Sequence, residues 1–183
     1  MDTEMRVVLT GFMGTGKTVV ARELAARLRL TCVDLDGEIE RRAGMTVAEI
    51  FAARGEAGFR ALERAVVGEV TARDGVVIAT GGGAIADEQN LAHLSRGSVM
   101  VRLSASPAEI VRRVGPSVAD RPLLRGHVDL EARVRELLDA RASVYARVPF
   151  EVVTDGLSPA AVADHIVARL ADAAATPVRG AGS

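Results

Sequence analysis

Gly11-Phe12-Met13-Gly14-Thr15-Gly16-Lys17-Thr18 is the stretch on which the fold is decided. It spells Gly-x-x-x-x-Gly-Lys-Thr, the pattern of a phosphate-binding loop. Lys17 is the one lysine among 23 strongly basic residues; all the others are arginine. An ammonium is a compact point charge on a flexible stem, whereas a guanidinium is a broad planar fork. A backbone wrapped around a phosphate chain has room for the first. Glycine backbone can approach a phosphate closely, and the loop N–H groups with the start of the next helix form an anion nest. Gly14, Thr15, Gly16, Lys17, Thr18 and Val19 are therefore candidate nucleotide ligands. Lys17 reaches for the β- and γ-phosphates and the Thr18 hydroxyl for Mg²⁺. The flanks agree: 6–10 reads as a buried strand and 17–28 as an amphipathic helix. The competing reading is a glycine-rich turn that binds nothing.

Outward from the loop, apolar runs alternate with helical patterns. Strands are expected at 6–10, 31–35, 76–79, 98–103 and 150–154. Helices are expected at 17–28, 36–53, 56–73, 107–114, 129–146 and 158–173. This alternation implies an α/β fold with a parallel sheet covered on both faces. Ligands in such sheets bind beyond the carboxyl ends of the strands. The segment at about 115–128 has no clear period and reads as a lid. Residues 1–171 form one domain, and the Ala-, Gly- and Pro-rich tail 172–183 is expected to fray.

A length of 183 residues suits one substantial core, and a net charge of −1 offers no field for nucleic acid or a membrane surface. Aromatic residues are too scarce for a base-stacking platform. No apolar stretch is long enough to span a bilayer, and the N-terminus does not read as a signal peptide. Cys32 alone can form no internal disulfide, which fits a reducing, cytoplasmic setting. His93, His127 and His165 lack metal-ligand spacing. Nothing points beyond a monomer.

Chemistry is sought at the strand ends. Asp34-Leu35-Asp36 closes the second strand, with alternation placing both carboxylates on one face. A Mg²⁺ on Thr18 is within the reach of Asp34, leaving Asp36 to take a proton from an attacking hydroxyl. Asp36 could instead simply cap the following helix. Gly81-Gly82-Gly83 ends the third strand, where backbone without side chains lets a ligand lie close; a flexible turn is the alternative. Arg60, with Glu63 three residues on, is either a surface ion pair or a carboxylate-binding arginine oriented by Glu63. Arg121 in the aperiodic segment could close over the γ-phosphate. Arg141 lies in an expected helix. Each of these three arginines has a plain surface reading as well.

In order, Gly-x-x-Gly-x-Gly-Lys-Thr, Asp34-x-Asp36, Phe59-Arg60-x-x-Glu63, Gly81-Gly82-Gly83, Arg121-Pro122-Leu123-Leu124 and Arg141 with Tyr145 resemble the shikimate kinase family over nearly the whole chain. The resemblance implies a three-layer P-loop NTPase fold of the nucleoside-monophosphate-kinase-like kind. Its five-stranded parallel sheet has the order 2-3-1-4-5, with helices on both faces and a mobile lid. It implies transfer of the ATP γ-phosphate to the 3-hydroxyl of shikimate in aromatic amino-acid synthesis, with Mg²⁺. Residues matching Asp36, Arg60, Gly82, Gly83 and Arg141 then contact shikimate, the two arginines on its carboxylate. Asp34 helps hold Mg²⁺, Arg121 is the lid arginine, and Arg113 with Pro159 is an adenine pair. The chain departs from the family pattern at Ser143, where proline is common, in one extra residue between Arg113 and Arg121, and around Leu157-Ser158-Pro159.

Rivals are a kinase for another small hydroxy acid such as gluconate, and a nucleotide-binding relative without catalysis. A GTPase needs a second lysine in its base-reading motif, which this chain lacks.

Overall fold

Val7, Val8 and Leu9 are all fully buried, so the strand that carries them has no face toward water. Such a strand lies mid-sheet between two helical layers. The computed structural model describes residues 5–120 and 123–175, and in it β1 (Arg6–Gly11) is central. Around it lie β2 (Thr31–Asp34), β3 (Val76–Ala79), β4 (Val99–Ser104) and β5 (Glu151–Val153), all parallel, in the order β2-β3-β1-β4-β5. This is the expected order.

Side-chain alternation along β1 feeds two cores. Val8 packs with Phe12, Ile39, Ile78 and Ile110 on one face, while Val7 and Leu9 pack with Leu24, Val101 and Ile166 on the other. The sheet is thereby sandwiched, which is the three-layer arrangement.

Helix boundaries depart from expectation in instructive ways. α1 (Lys17–Leu28) forms as expected. The single helix expected at 36–53 is interrupted: α2 (Leu35–Ala43) ends at Gly44, whose φ of 65° lies in the left-handed region. α3 (Val47–Val70) then restarts from Thr46 through a capping box with Glu49. Inside α3 the chain breaks at Gly55 (φ 63°, ψ −175°), which is the interruption expected near residue 54. α4 (Glu88–Ser95) was not expected. It spans eight residues, too short for a clear period, and is announced only by its Asp87 cap.

α5 (Pro107–Val114) matches its expected bounds. A 3-10 stretch, Gly115–Asp120, then occupies the front of the segment read as aperiodic. The helix expected at 129–146 is two, α6 (Leu130–Asp139) and α7 (Ala142–Tyr145), with Arg141 in the break rather than within a helix. α8 (Pro159–Ala175) runs through Asp172, so the chain is still helical where fraying was expected to begin. Residues 176–183 of that tail lie outside the described residues.

Order reverses on either side of β1, because the chain visits β2 and β3 on one flank and β4 and β5 on the other. The register aligns Gly11 with Leu103 and Asp34 with Ala79, so several strands end at one edge. A crevice opens there, at the switch point.

Candidate active site

The loop after β1 is shaped by its glycines. Gly11 has φ 142°, and a methyl added to it would stand 2.1 Å from the Leu103 carbonyl oxygen. Gly16 (φ 89°) turns the chain into α1 and leaves the first helical N–H groups open to the crevice. Thr15 is buried and its hydroxyl donates to the Phe12 carbonyl at 2.8 Å, so its side chain braces the loop from beneath. The Lys17 ammonium donates to the carbonyls of Gly11 and Phe12 at 2.9 Å each, which holds it at the loop mouth.

Asp34, not Asp36, caps the helix after β2. Its Oδ1 accepts from the Asp36 and Gly37 backbone N–H groups, and its Oδ2 accepts from the Thr18 hydroxyl at 2.6 Å. The expectation that both carboxylates project from one extended strand is therefore corrected. β2 stops at Asp34, and Asp36 sits in the first turn of α2. Both carboxylates still reach the same cavity, of about 430 Å³, with Gly14, Gly16, Lys17 and Thr18. Thr80 also lines it; its hydroxyl is buried without a partner among the described residues, and no local pattern in the chain announces it.

Desolvation, the negative Asp34 and, more distantly, Glu63 and Glu40 push the Asp36 carboxyl up to about 6, against the pull of Lys17. The carboxyl group nonetheless lines the cleft and is open to it. A carboxylate tuned in this way is suited to accepting a proton near neutral pH.

Asp36 lines a second, adjoining cavity of about 230 Å³ together with Arg60, Glu63, Gly81, Gly82, Gly83 and Arg141. Arg60 donates to Glu63 at 2.8 Å, lies 3.5 Å from Glu56 and rests over the Phe59 ring. Glu63 is only 1% exposed, which rules out the surface-pair reading. Arg141 donates to the Gly82 carbonyl at 3.0 Å and stacks over Phe12. The glycine triplet is what lets these groups converge. A methyl on Gly81 would stand 2.7 Å from Asp36 Oδ1, and one on Gly83 would stand 3.2 Å from Arg60 Nη2.

Beyond the phosphate loop, Arg113 and Pro159 line a third cavity of about 280 Å³ with Val19, Thr154 and Leu157. Arg113 is pinned edge-on by Glu109, the Gly14 carbonyl and both oxygens of Thr154. A guanidinium bonded through its rim keeps its planar face for a ring. Leu124, within the segment read as a lid, is fully buried, whereas Arg121 lies outside the described residues.

Three cavities thus run end to end, joined by Gly16, Val19 and Arg113 on one side and by Met13, Asp36 and Gly82 on the other. Comparison with known proteins places the chain in one family. The family model for shikimate kinase matches residues 13–171. A shikimate kinase of Thermus thermophilus is 45% identical over 165 residues, covering 90% of this chain and 89% of that protein. The structure of shikimate kinase from Acinetobacter baumannii in complex with shikimate superposes with a TM-score of 0.88 at 34% identity, covering 95% of this chain and 97% of that one. A gluconokinase of Sinorhizobium meliloti shares only the fold, at a TM-score of 0.60 and 16% identity. On its sequence and its structure alike, the chain belongs to the shikimate kinase family.

Proposed function

We propose that the three cavities divide the reaction of this family among them. The enzyme transfers the γ-phosphoryl group of ATP to the 3-hydroxyl of shikimate. The hydroxyl oxygen forms a bond to phosphorus, the bond from the γ-phosphorus to the bridging oxygen breaks, and ADP leaves. Asp36 takes the hydroxyl proton. Lys17 and the N–H groups of Gly14, Thr15, Gly16, Thr18 and Val19 hold the phosphates in line. Arg60 and Arg141 grip the shikimate carboxylate while Gly81, Gly82 and Gly83 leave room for its ring. Arg113 and Pro159 flank the adenine. Arg121, on the strength of its place in the sequence, neutralises charge on the transferring group.

The Thr18 hydroxyl and Asp34 carboxylate converge to 2.6 Å at the phosphate end of the cleft, and both are hard oxygen donors. That pair suits Mg²⁺, which takes one or two protein oxygens and fills its shell with phosphates and water. When bound, Mg²⁺ neutralises the β- and γ-phosphate oxygens. Every assigned group comes from one chain, so a monomer suffices, and the lone thiol of Cys32 fits a cytoplasmic setting. No helix among the described residues is long and apolar enough to cross a membrane.

The observation that carries this reading is the position of Asp36, shared by the phosphate cavity and the cavity of the two arginines. ADP release from Mg·ATP tests it, with shikimate run beside gluconate, quinate and nucleoside monophosphates. Turnover on shikimate alone is expected. Turnover on gluconate instead would leave the phosphate loop standing and remove the substrate assignment.

A further inference from the structure

Asn90 occupies a place in α4 that ordinary packing would give to an apolar side chain. Its neighbours on the buried side, Leu91 and Leu94, are apolar, and Asn90 itself is fully buried. Its amide Nδ2 donates to Glu63 Oε2 at 3.2 Å, and the same carboxylate oxygen accepts from Arg60 Nη1 at 2.8 Å. Its Oδ1 is buried without a hydrogen-bond partner among the described residues. A carboxylate paired with a guanidinium can only accept, so the amide of Asn90 must face Glu63 and its oxygen must face away. A buried acceptor left without a partner is costly, and an apolar side chain of the same size would avoid that cost. The donor toward Glu63 is therefore the reason for the amide.

A second bond, one residue along on α3, fastens the two helices together. Arg64 donates to Asp87, the residue that caps α4 and holds the Asn90 backbone N–H. The start of α4 is thereby tied to α3 at Glu63 and Arg64, beside the arginine that faces the glycine triplet.

We propose that Asn90 is a positioning residue for substrate recognition: it fixes the buried Glu63 carboxylate, which in turn aims Arg60 at the shikimate carboxylate. Asn90 touches no substrate. It acts by removing the freedom of Glu63 to rotate or to retreat from Arg60, so the guanidinium is oriented before shikimate arrives and less is lost in ordering it on binding. This rests on the assignment of Arg60 to the carboxylate. It adds to that assignment a third link from an element that lies outside the cleft.

Steady-state kinetics of Asn90→Leu, of similar volume but without a donor, test it alongside Arg60→Ala. The expected result is a shikimate KM about tenfold higher, with the ATP KM within about twofold and kcat nearly kept. Asn90→Asp keeps the shape while placing a second carboxylate beside Glu63, and is expected to raise the shikimate KM at least as far; it supplies the measurement if Asn90→Leu folds poorly. A shikimate KM unchanged in a folded Asn90 variant, with Arg60→Ala raising it, overturns the positioning role and leaves the Arg60 assignment intact. Equal rises in both KM values accompanied by a lower Tm also overturn it, since they mark a packing role alone. An unchanged KM in Arg60→Ala overturns the assignment beneath it.

Discussion

The two ends of the cleft are built from different materials. The phosphate end is made of backbone: eight consecutive residues supply the turn, the N–H groups and one ammonium. The end proposed for shikimate is made of side chains drawn from separate elements: Asp36 from α2, Arg60 and Glu63 from α3, Arg141 from the break before α7. A backbone site has no slack, because a misplaced atom displaces the chain itself. A side-chain site can lose one member and keep its shape, giving up affinity or rate in proportion. The first is therefore encoded locally and fails as a whole; the second is encoded at long range and fails in parts.

That contrast can be broken at Gly11. Gly11→Ala puts a methyl 2.1 Å from a backbone oxygen at a φ of 142°, so little folded protein is expected, and thermal unfolding of any soluble fraction reads the loss directly. Normal Tm in that variant would show the loop to be more forgiving than its geometry allows.

At the other end, Asp36→Asn is expected to fold and to lower kcat by about a thousandfold, while ATP affinity, read by calorimetry, barely changes. It should also raise Tm slightly above pH 6. The folded carboxyl sits at about 6, above its ordinary value of 3.8, so ionising it costs stability as pH rises through that window, and the amide avoids the cost. Discounted for its access to water, the gain is at most about 1 kcal/mol. The same elevation sets the pH profile of the wild type. The base must be ionised, so kcat/KM for shikimate should fall by about tenfold per unit as pH drops below about 6. A flat profile down to pH 5 would remove Asp36 as the base.

Gly81→Ala sharpens the comparison, since it adds a methyl where the obstacle is the Asp36 carboxylate, 2.7 Å away, rather than backbone. The side chain can swing aside, so folding should survive while kcat falls by about tenfold or more through misplacement of the base. Arg60→Ala removes one charge-assisted pair to the substrate and should raise the shikimate KM by about tenfold to a hundredfold with the ATP KM unchanged. Pro159→Ala is expected to have the smallest effect, a rise in ATP KM of about threefold, because it trims one apolar wall of a cavity that keeps Val19 and Leu157.

Much of the site was legible because its members sit at strand ends, where composition changes abruptly. The strand-end logic pointed to Asp34 and to the third-strand glycines, and in the fold Asp34 meets the Thr18 hydroxyl while the glycines line the cavity of Arg60 and Arg141. What escaped had no local signature. Gly44 and the Thr46–Glu49 capping box, which separate α2 from α3, are visible in the sequence, but the apolar period runs across them and suggests one helix. Alternation through Asp34-Leu35-Asp36 suggests an extended strand end, because it cannot tell the last strand positions from the first helical turn, which here begins at Leu35. Thr80 and Asn90 look like ordinary polar residues until their burial is known.

The sequence by itself determined the parallel α/β fold, the sheet order through its resemblance to a family, and the phosphate loop, because each depends on periodicity or on neighbours along the chain. Only the tertiary structure decided which of the chain's many arginines face the cleft, that Asp34 caps a helix while Asp36 stands between two cavities, and that Asn90 backs Glu63. Those facts depend on contacts between residues far apart in the chain, and burial, which turns a surface charge into a directed one, exists only once the layers have packed.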